Sequence, residues 1–324
     1  MSVLEIKQPR LFYIITILFG SACPSVAAES KPPVKVFLLA GQSNMEGQGV
    51  VDLDHPKYYN GGRGILNRVV QNPEFSKRFP HLKNKDDGWV TRDDVWIRCK
   101  VKSGIKRGGL TIGFTGYEGK HHIGPEFQFG HLVGEHFDEP VLLIKTAWGG
   151  KSLFQDFRPP SSGGKTGPYY RRMLAEIGEA LSAAATDFPK LAGREMEIAG
   201  FVWFQGWNDM FDDQARAEYE QNLVNLIKDI RNHFSRADLP VVIGELGNGG
   251  PKAGANMMAI RQAQAAAATR PEFKSTVSFV RTAQFARPRE QSPNVGHGHH
   301  WFGNAESYFL IGDALGRAMI ELTK

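Results

Sequence analysis

The sequence predicts a doubly wound α/β domain: a mainly parallel sheet with helices packed on both faces. Three observations lead there. Short apolar runs of strand length recur along the chain. Segments with apolar residues at helical spacing lie between them. The composition, 41% hydrophobic and 23% charged over 324 residues, suits a globular protein with a large core. The 36 glycines, about 11% against a usual ~7%, add an expectation of many turns and loops. Lys and Arg exceed Asp and Glu by 39 to 34, a formal charge of +5. Those cations are scattered, with only Lys100–Arg107 and Arg171–Arg172 locally dense. No nucleic-acid-binding stripe stands out, and the charge reads as a solvated surface that attracts acidic polymers.

At the N-terminus, Lys7 and Arg10 precede the apolar run Leu11–Phe19, and Ser25-Val-Ala-Ala28 offers small residues before Glu29. This is the pattern of a secretory signal peptide, residues 1–28, and it predicts a secreted or periplasmic protein. The run is shorter than the roughly 20 residues of a membrane span, so no stable membrane insertion is expected. A lipoprotein signal ending at Cys23 is the less favoured reading, because Gly20 stands where such signals usually carry leucine. Without Cys23 the mature chain keeps Cys99 alone and forms no internal disulfide. Beside Trp96 and Ile97, Cys99 reads as a small buried apolar group and not as a nucleophile.

Residues 29–324 read as a single domain. Buried strands are expected at Val34–Ala40, Pro140–Lys145, Ile198–Phe204, Pro240–Gly244 and Thr276–Val280. Helical periodicity marks Phe127–Phe137, Tyr169–Ala185, Ala215–Phe234 and Asn304–Leu322. Two stretches, 52–122 and 151–168, break this rhythm. Both are polar and glycine-rich, and both are expected to be loop insertions that wall a ligand site.

Four blocks carry chemistry. Leu39-Ala-Gly-Gln-Ser-Asn-Met-Glu-Gly47 follows the first strand and puts Ser43 at a strand end and a helix start, where a hydroxyl faces the crevice and backbone amides gather positive potential. The competing reading is a helix cap. Lys145-Thr-Ala-Trp-Gly-Gly-Lys-Ser152 brings Gly149 and Gly150, whose N–H groups are unobstructed. Trp203-Phe-Gln-Gly-Trp-Asn-Asp209 brings the amides of Gln205 and Asn208. His297-Gly-His-His-Trp301 precedes the last helix. A nucleophile, oxyanion donors and a general base therefore arrive in chain order, which is the set that acyl transfer needs.

These blocks resemble the SGNH hydrolase superfamily, and Gly41-Gln-Ser-Asn-Met45 with Gln205-Gly206 resembles its sialate O-acetylesterase and acetylxylan esterase branch. The resemblance spans about Val34 to Leu322. It implies a flavodoxin-like three-layer α/β/α fold and metal-free, cofactor-free removal of O-acetyl groups from sugars. It makes Ser43 the nucleophile and an oxyanion donor through its N–H, Gly149 or Gly150 a second donor, Gln205 or Asn208 a third, and His300 the base, with His299 its rival. Gln42 and Asn44, beside the nucleophile, join Trp148, Trp207 and Trp301 as substrate-binding candidates. The sequence departs from the superfamily where Asp is usual three residues before the base, since His297 stands there. It departs from the branch at Trp207, where Glu is common. For the acid that orients the base, Asp209 is the first candidate and Glu126 and Glu245 are others; a Ser-His dyad is the alternative. The histidines could also be read as zinc ligands, but no Asp or Cys nearby completes a set. The expected partner is an acetylated carbohydrate, with an acidic polysaccharide suggested by the charge and no nucleic acid. The rival functions are a non-catalytic carbohydrate-binding protein and a lipase or arylesterase of the same superfamily.

Overall fold

The computed structural model describes residues 31–324, so the expectations on Met1–Ala28 and Cys23 lie outside the described residues. The strands are β1 (Val34–Gly41), β2 (Gly49–Val50), β3 (Val95–Val101), β4 (Gly104–Gly109), β5 (His122–Ile123), β6 (Val141–Ala147), β7 (Met196–Phe204), β8 (Val241–Gly244) and β9 (Val277–Val280). The helices are α1 (Ser43–Glu46), α2 (Leu66–Val69), α3 (Pro73–Arg78), α4 (Glu126–His136), α5 (Pro168–Asp187), α6 (Asp213–His233), α7 (Ala255–Ala268) and α8 (Ala305–Leu322). Seven strands form one sheet in the order β4-β3-β6-β1-β7-β8-β9, while β2 and β5 pair separately. All its pairings are parallel except β3 with β4.

Because the strands are buried on both faces, β1 reads as an almost unbroken apolar run. Val36, Leu38 and Ala40 enter one core with Met173 and Ile177 of α5, Leu223 and Ile227 of α6 and Ile260 of α7. Phe37 and Leu39 enter the other with Phe127 and Phe129 of α4 and Phe309 and Leu315 of α8. Each fully buried side chain of this size contributes about 1.5–3 kcal/mol by leaving water, so the two layers fix the sheet from both sides. The mixed α/β fold with a large, mostly parallel central sheet agrees with the sequence.

Two expectations change. The 52–122 stretch is not loop throughout, because β3 and β4 extend the sheet there. Val95, Ile97 and Cys99 of β3, with the partly buried Val101, give an apolar face; between them Arg98 is buried by an ion pair with Asp187 at 2.8 Å, which hides the strand from a reading by hydropathy. Strand β4, Gly-Ile-Lys-Arg-Gly-Gly, lies at the sheet edge and needs little apolar surface. Helix α7 also escaped, since its buried face carries polar groups. Gln264 bonds the Leu246 N–H and the Gln205 and Gly244 carbonyls, and Arg261 bonds the Leu246 and Gly250 carbonyls. Cys99 is buried, and burial pushes its thiol up to about 11, leaving it unreactive. Among the described residues no helix is long and apolar enough to cross a membrane.

Candidate active site

Gly41 pairs with Ala147 on β6 and with Phe204 on β7, so three central strands end level. The chain leaves β1 toward β6 on one side and later returns to β7 on the other. The segments after these strands therefore share the rim where strand order reverses, the usual ligand crevice of open α/β sheets. A side chain at Gly41 would bring its Cβ to 2.1 Å from the Phe204 carbonyl oxygen, so only glycine lets β1 and β7 close here.

Ser43 opens α1. Met45 and Glu46 bond back to the Gln42 carbonyl, and the Ser43 N–H precedes them in the turn where amides have no carbonyl behind them. The Ser43 Oγ lies 2.9 Å from His300 Nε2. Of the two histidines left open, it is His300 that reaches the serine; the His299 ring packs 4.0 Å away from the His300 ring. Burial, with His299 and His297 beside it, lowers the His300 pKa to about 4, so the imidazole is neutral at pH 7 and able to accept a proton.

The backbone that delivers His300 is strained. Trp301 and Phe302 follow it with φ of 53° and 54°, a left-handed conformation that costs non-glycine residues of order 1–3 kcal/mol each. Trp301 is fully buried there, so it anchors the turn and offers no platform to a sugar.

Among the described residues no carboxylate hydrogen-bonds His300. Asp209 is completely buried, and its oxygens accept from the N–H groups of Leu153 and Phe154 and from Gln205 Nε2. It ties the 151–168 loop to β7 instead of orienting the base, and burial raises its pKa to about 6. Glu126 pairs with Lys145 at 2.9 Å. Glu245 accepts from the N–H groups of Thr282 and Ala283. All three candidate acids are thus engaged away from His300.

The two candidate amides separate equally clearly. Gln205 donates to the Lys151 carbonyl and to Asp209, so both its Nε2 protons are used. Asn208 accepts from Gln42 Nε2 at 3.3 Å through its Oδ1, which leaves Nδ2 without a partner among the described residues. Gln42 is itself buried, and its Oε1 accepts from the N–H groups of Gly206 and Trp207. Asn44 donates to the His299 carbonyl and accepts from Tyr308. Both flanking residues therefore brace the loops and are not free for substrate.

Gly149 lies against Ser43: a Cβ there would sit 3.6 Å from the serine Cβ. The Glu46 carboxylate stands beside it, 3.3 Å from where that Cβ would be, and burial raises its pKa. Gly150 follows at φ 70°, with open space where a side chain would stand. Glu46 and Lys145, which binds the Glu46 carbonyl at 2.9 Å, are site residues that the sequence reading passed over. Glu46 sat inside the nucleophile motif, but nothing in its spacing showed that it points at Gly149.

Among the aromatic candidates, Trp148 has one guanidinium, that of Arg172, 4.8 Å over its ring. Trp207 is half-buried between His299 at 5.7 Å and the exposed Phe211 at 5.6 Å. Trp207 is the tryptophan that keeps accessible surface beside the histidines. Among the described residues no three His, Cys, Asp or Glu side chains gather as a metal site.

Comparison with known proteins gives the chain a family. A family model described as "Carbohydrate esterase, sialic acid-specific acetylesterase" matches residues 33–321. A probable carbohydrate esterase of Arabidopsis thaliana is 24% identical over 223 residues, covering 68% of this chain and 71% of that protein. The X-ray structure of an Arabidopsis thaliana protein superposes with a TM-score of 0.57 at 19% identity, covering 89% of this chain and 98% of that one. A carbohydrate acetylesterase from Xanthomonas citri superposes at 0.51 and 15% identity, covering 88% of this chain and 55% of that one. At these identities the superpositions speak for the fold, and the family match carries the assignment: the chain belongs to the sialic acid-specific acetylesterase family of carbohydrate esterases.

Proposed function

We propose that the protein is a serine esterase that removes O-acetyl groups from carbohydrate through an acetyl-enzyme on Ser43. The observation that carries this reading is the 2.9 Å approach of His300 Nε2 to Ser43 Oγ at the rim where the strand order reverses. His300 takes the hydroxyl proton as Oγ attacks the acetyl carbonyl. The oxyanion is held by the Ser43 N–H, by Asn208 Nδ2 and by an N–H of the Gly149–Gly150 turn. His300 then protonates the departing sugar oxygen. Water, activated by the same imidazole, attacks the acetyl-enzyme, acetate leaves, and the serine is regenerated. The pair works as a dyad, with the neutral base poised by burial and by the Trp301 turn where triads use an acid.

The polar loops around the crevice and the half-exposed Trp207 suit a sugar better than a lipid chain. Met1–Ala28 is proposed as a secretory leader, which the N-terminal sequence of the exported protein checks. Acetate release from acetylated glycans by wild type and Ser43→Ala tests the whole reading. Activity is expected to fall to background in the variant, and equal release by both proteins excludes the mechanism.

A further inference from the structure

A groove of about 500 Å3 runs between the edge strand β4 and the segment that follows it. Lys106, Arg107 and Lys120 line it together with Ile105, Phe114 and four glycines, and no carboxylate belongs to the lining. These cations include the dense end of the Lys100–Arg107 cluster that the catalytic chemistry leaves unused. The Lys106 ammonium donates to the Gly113 and Tyr117 carbonyls, both neutral acceptors. Arg107 approaches Asp187 at 3.3 Å, but that carboxylate is already held by Arg98 at 2.8 Å. Lys120 is exposed. The acids that act on Lys106 are Glu118 and the buried Glu126, both outside the groove lining.

The segment that walls the groove also touches the helix of Ser43. A Cβ at Gly116 would lie 2.9 Å from the Glu46 carboxylate, on the helix that Ser43 opens, and the Tyr117 hydroxyl donates to Gln48. The segment from Gly113 to Lys120 thus has the groove on one side and the wall of the serine site on the other. On the groove floor, an edge strand leaves N–H and C=O groups unpaired, and the glycines leave that backbone open to hydroxyl groups.

We propose that this groove binds an anionic polysaccharide, a glycan chain whose carboxylates flank the acetylated sugar and meet Lys106, Arg107 and Lys120 while the acetyl group lies at Ser43. The proposal rests on the esterase reading for its register and on charge complementarity for its ligand. A nucleic acid fits less well, since bases call for exposed aromatic platforms and Phe114 is only 8% exposed.

The test separates binding from catalysis. Ser43→Ala protein is run in native gels containing polygalacturonate, neutral xylan or double-stranded DNA. Retardation by polygalacturonate alone is expected. It should be largely lost in Ser43→Ala combined with Arg107→Gln and Lys120→Gln, and kept with Lys228→Gln and Lys274→Gln, a charge-matched pair near the opposite sheet edge. In the active enzyme, Arg107→Gln with Lys120→Gln should raise KM for acetylated polygalacturonate about tenfold, as two exposed charges allow. Hydrolysis of p-nitrophenyl acetate and acetylated xylan should stay unchanged. Retardation that survives the groove variants, that falls equally with the remote pair, or that is as strong with DNA overturns the proposal. If no glycan yields acetate but the gel pattern holds, the esterase reading fails and the groove stands.

Discussion

Ser43 and His300 meet at 2.9 Å, yet the molecule holds them in opposite ways. Ser43 sits just past a strand end braced by a hydrogen-bond web: Gln42 clamps Gly206, Trp207 and Asn208, and Asn44 clamps Tyr308 and the His299 carbonyl. His300 sits on a short 3-10 turn in which the buried Trp301 and its neighbour Phe302 are both left-handed. Among the described residues no acid orients it. Strand pairing and buried side-chain amides position the serine, whereas the histidine turn is held by its own backbone hydrogen bonds, by Asn44 and by the packing of Trp301. The serine therefore leans on the sheet and the histidine on a local turn.

The largest effects fall on the reacting pair. His300→Ala should lower kcat by about 10²–10⁴, the range of a lost general base, with Ser43→Ala at background, both read as acetate release. Next comes the oxyanion. Asn208→Ala should cost about 10²–10³ in kcat. Gln205→Ala, which strips a partner from buried Asp209, should instead appear mainly as a loss of about 1–3 kcal/mol in denaturant unfolding. The reverse pattern would make Gln205 the donor.

The pH dependence sharpens the contrast further. The base works only when neutral, and burial holds the His300 pKa at about 4. The acid limb of kcat/KM should therefore fall below about pH 4, with activity flat from there toward neutrality. His297→Asp places a carboxylate three residues before the base. It stabilises the imidazolium, raises the pKa and moves the limb to higher pH. An acid limb near 6.5 in the wild type would show that burial does not govern His300. The smallest effect is expected at Glu46→Gln, which keeps the side chain's shape against Gly149 but removes a charge beside the developing oxyanion. A few-fold rise in kcat at neutral pH is the expected outcome, and a fall would assign the carboxylate a positive part in turnover.

Much of this was legible from residues alone. The apolar run of β1 and the periodicity of α4, α5, α6 and α8 specified layered helices on a parallel sheet, because a strand buried on both faces and a helix buried on one leave distinct patterns. The blocks of Ser43, Gly149 and Gln205–Asn208 follow β1, β6 and β7, and that of His300 precedes α8, the placement their local patterns implied. Strand β3 and helix α7 were not legible, since Arg98, Arg261 and Gln264 are buried polar residues whose partners lie elsewhere in the chain. The tertiary structure alone decided which of two adjacent histidines reaches the serine, and which of two amides keeps a free N–H. It also turned Asp209, Gln42, Asn44 and Trp301 from candidates for chemistry into braces for the loops. A sequence lists donors and acceptors, but a buried donor bonds once per proton, and only the fold decides which neighbour claims it.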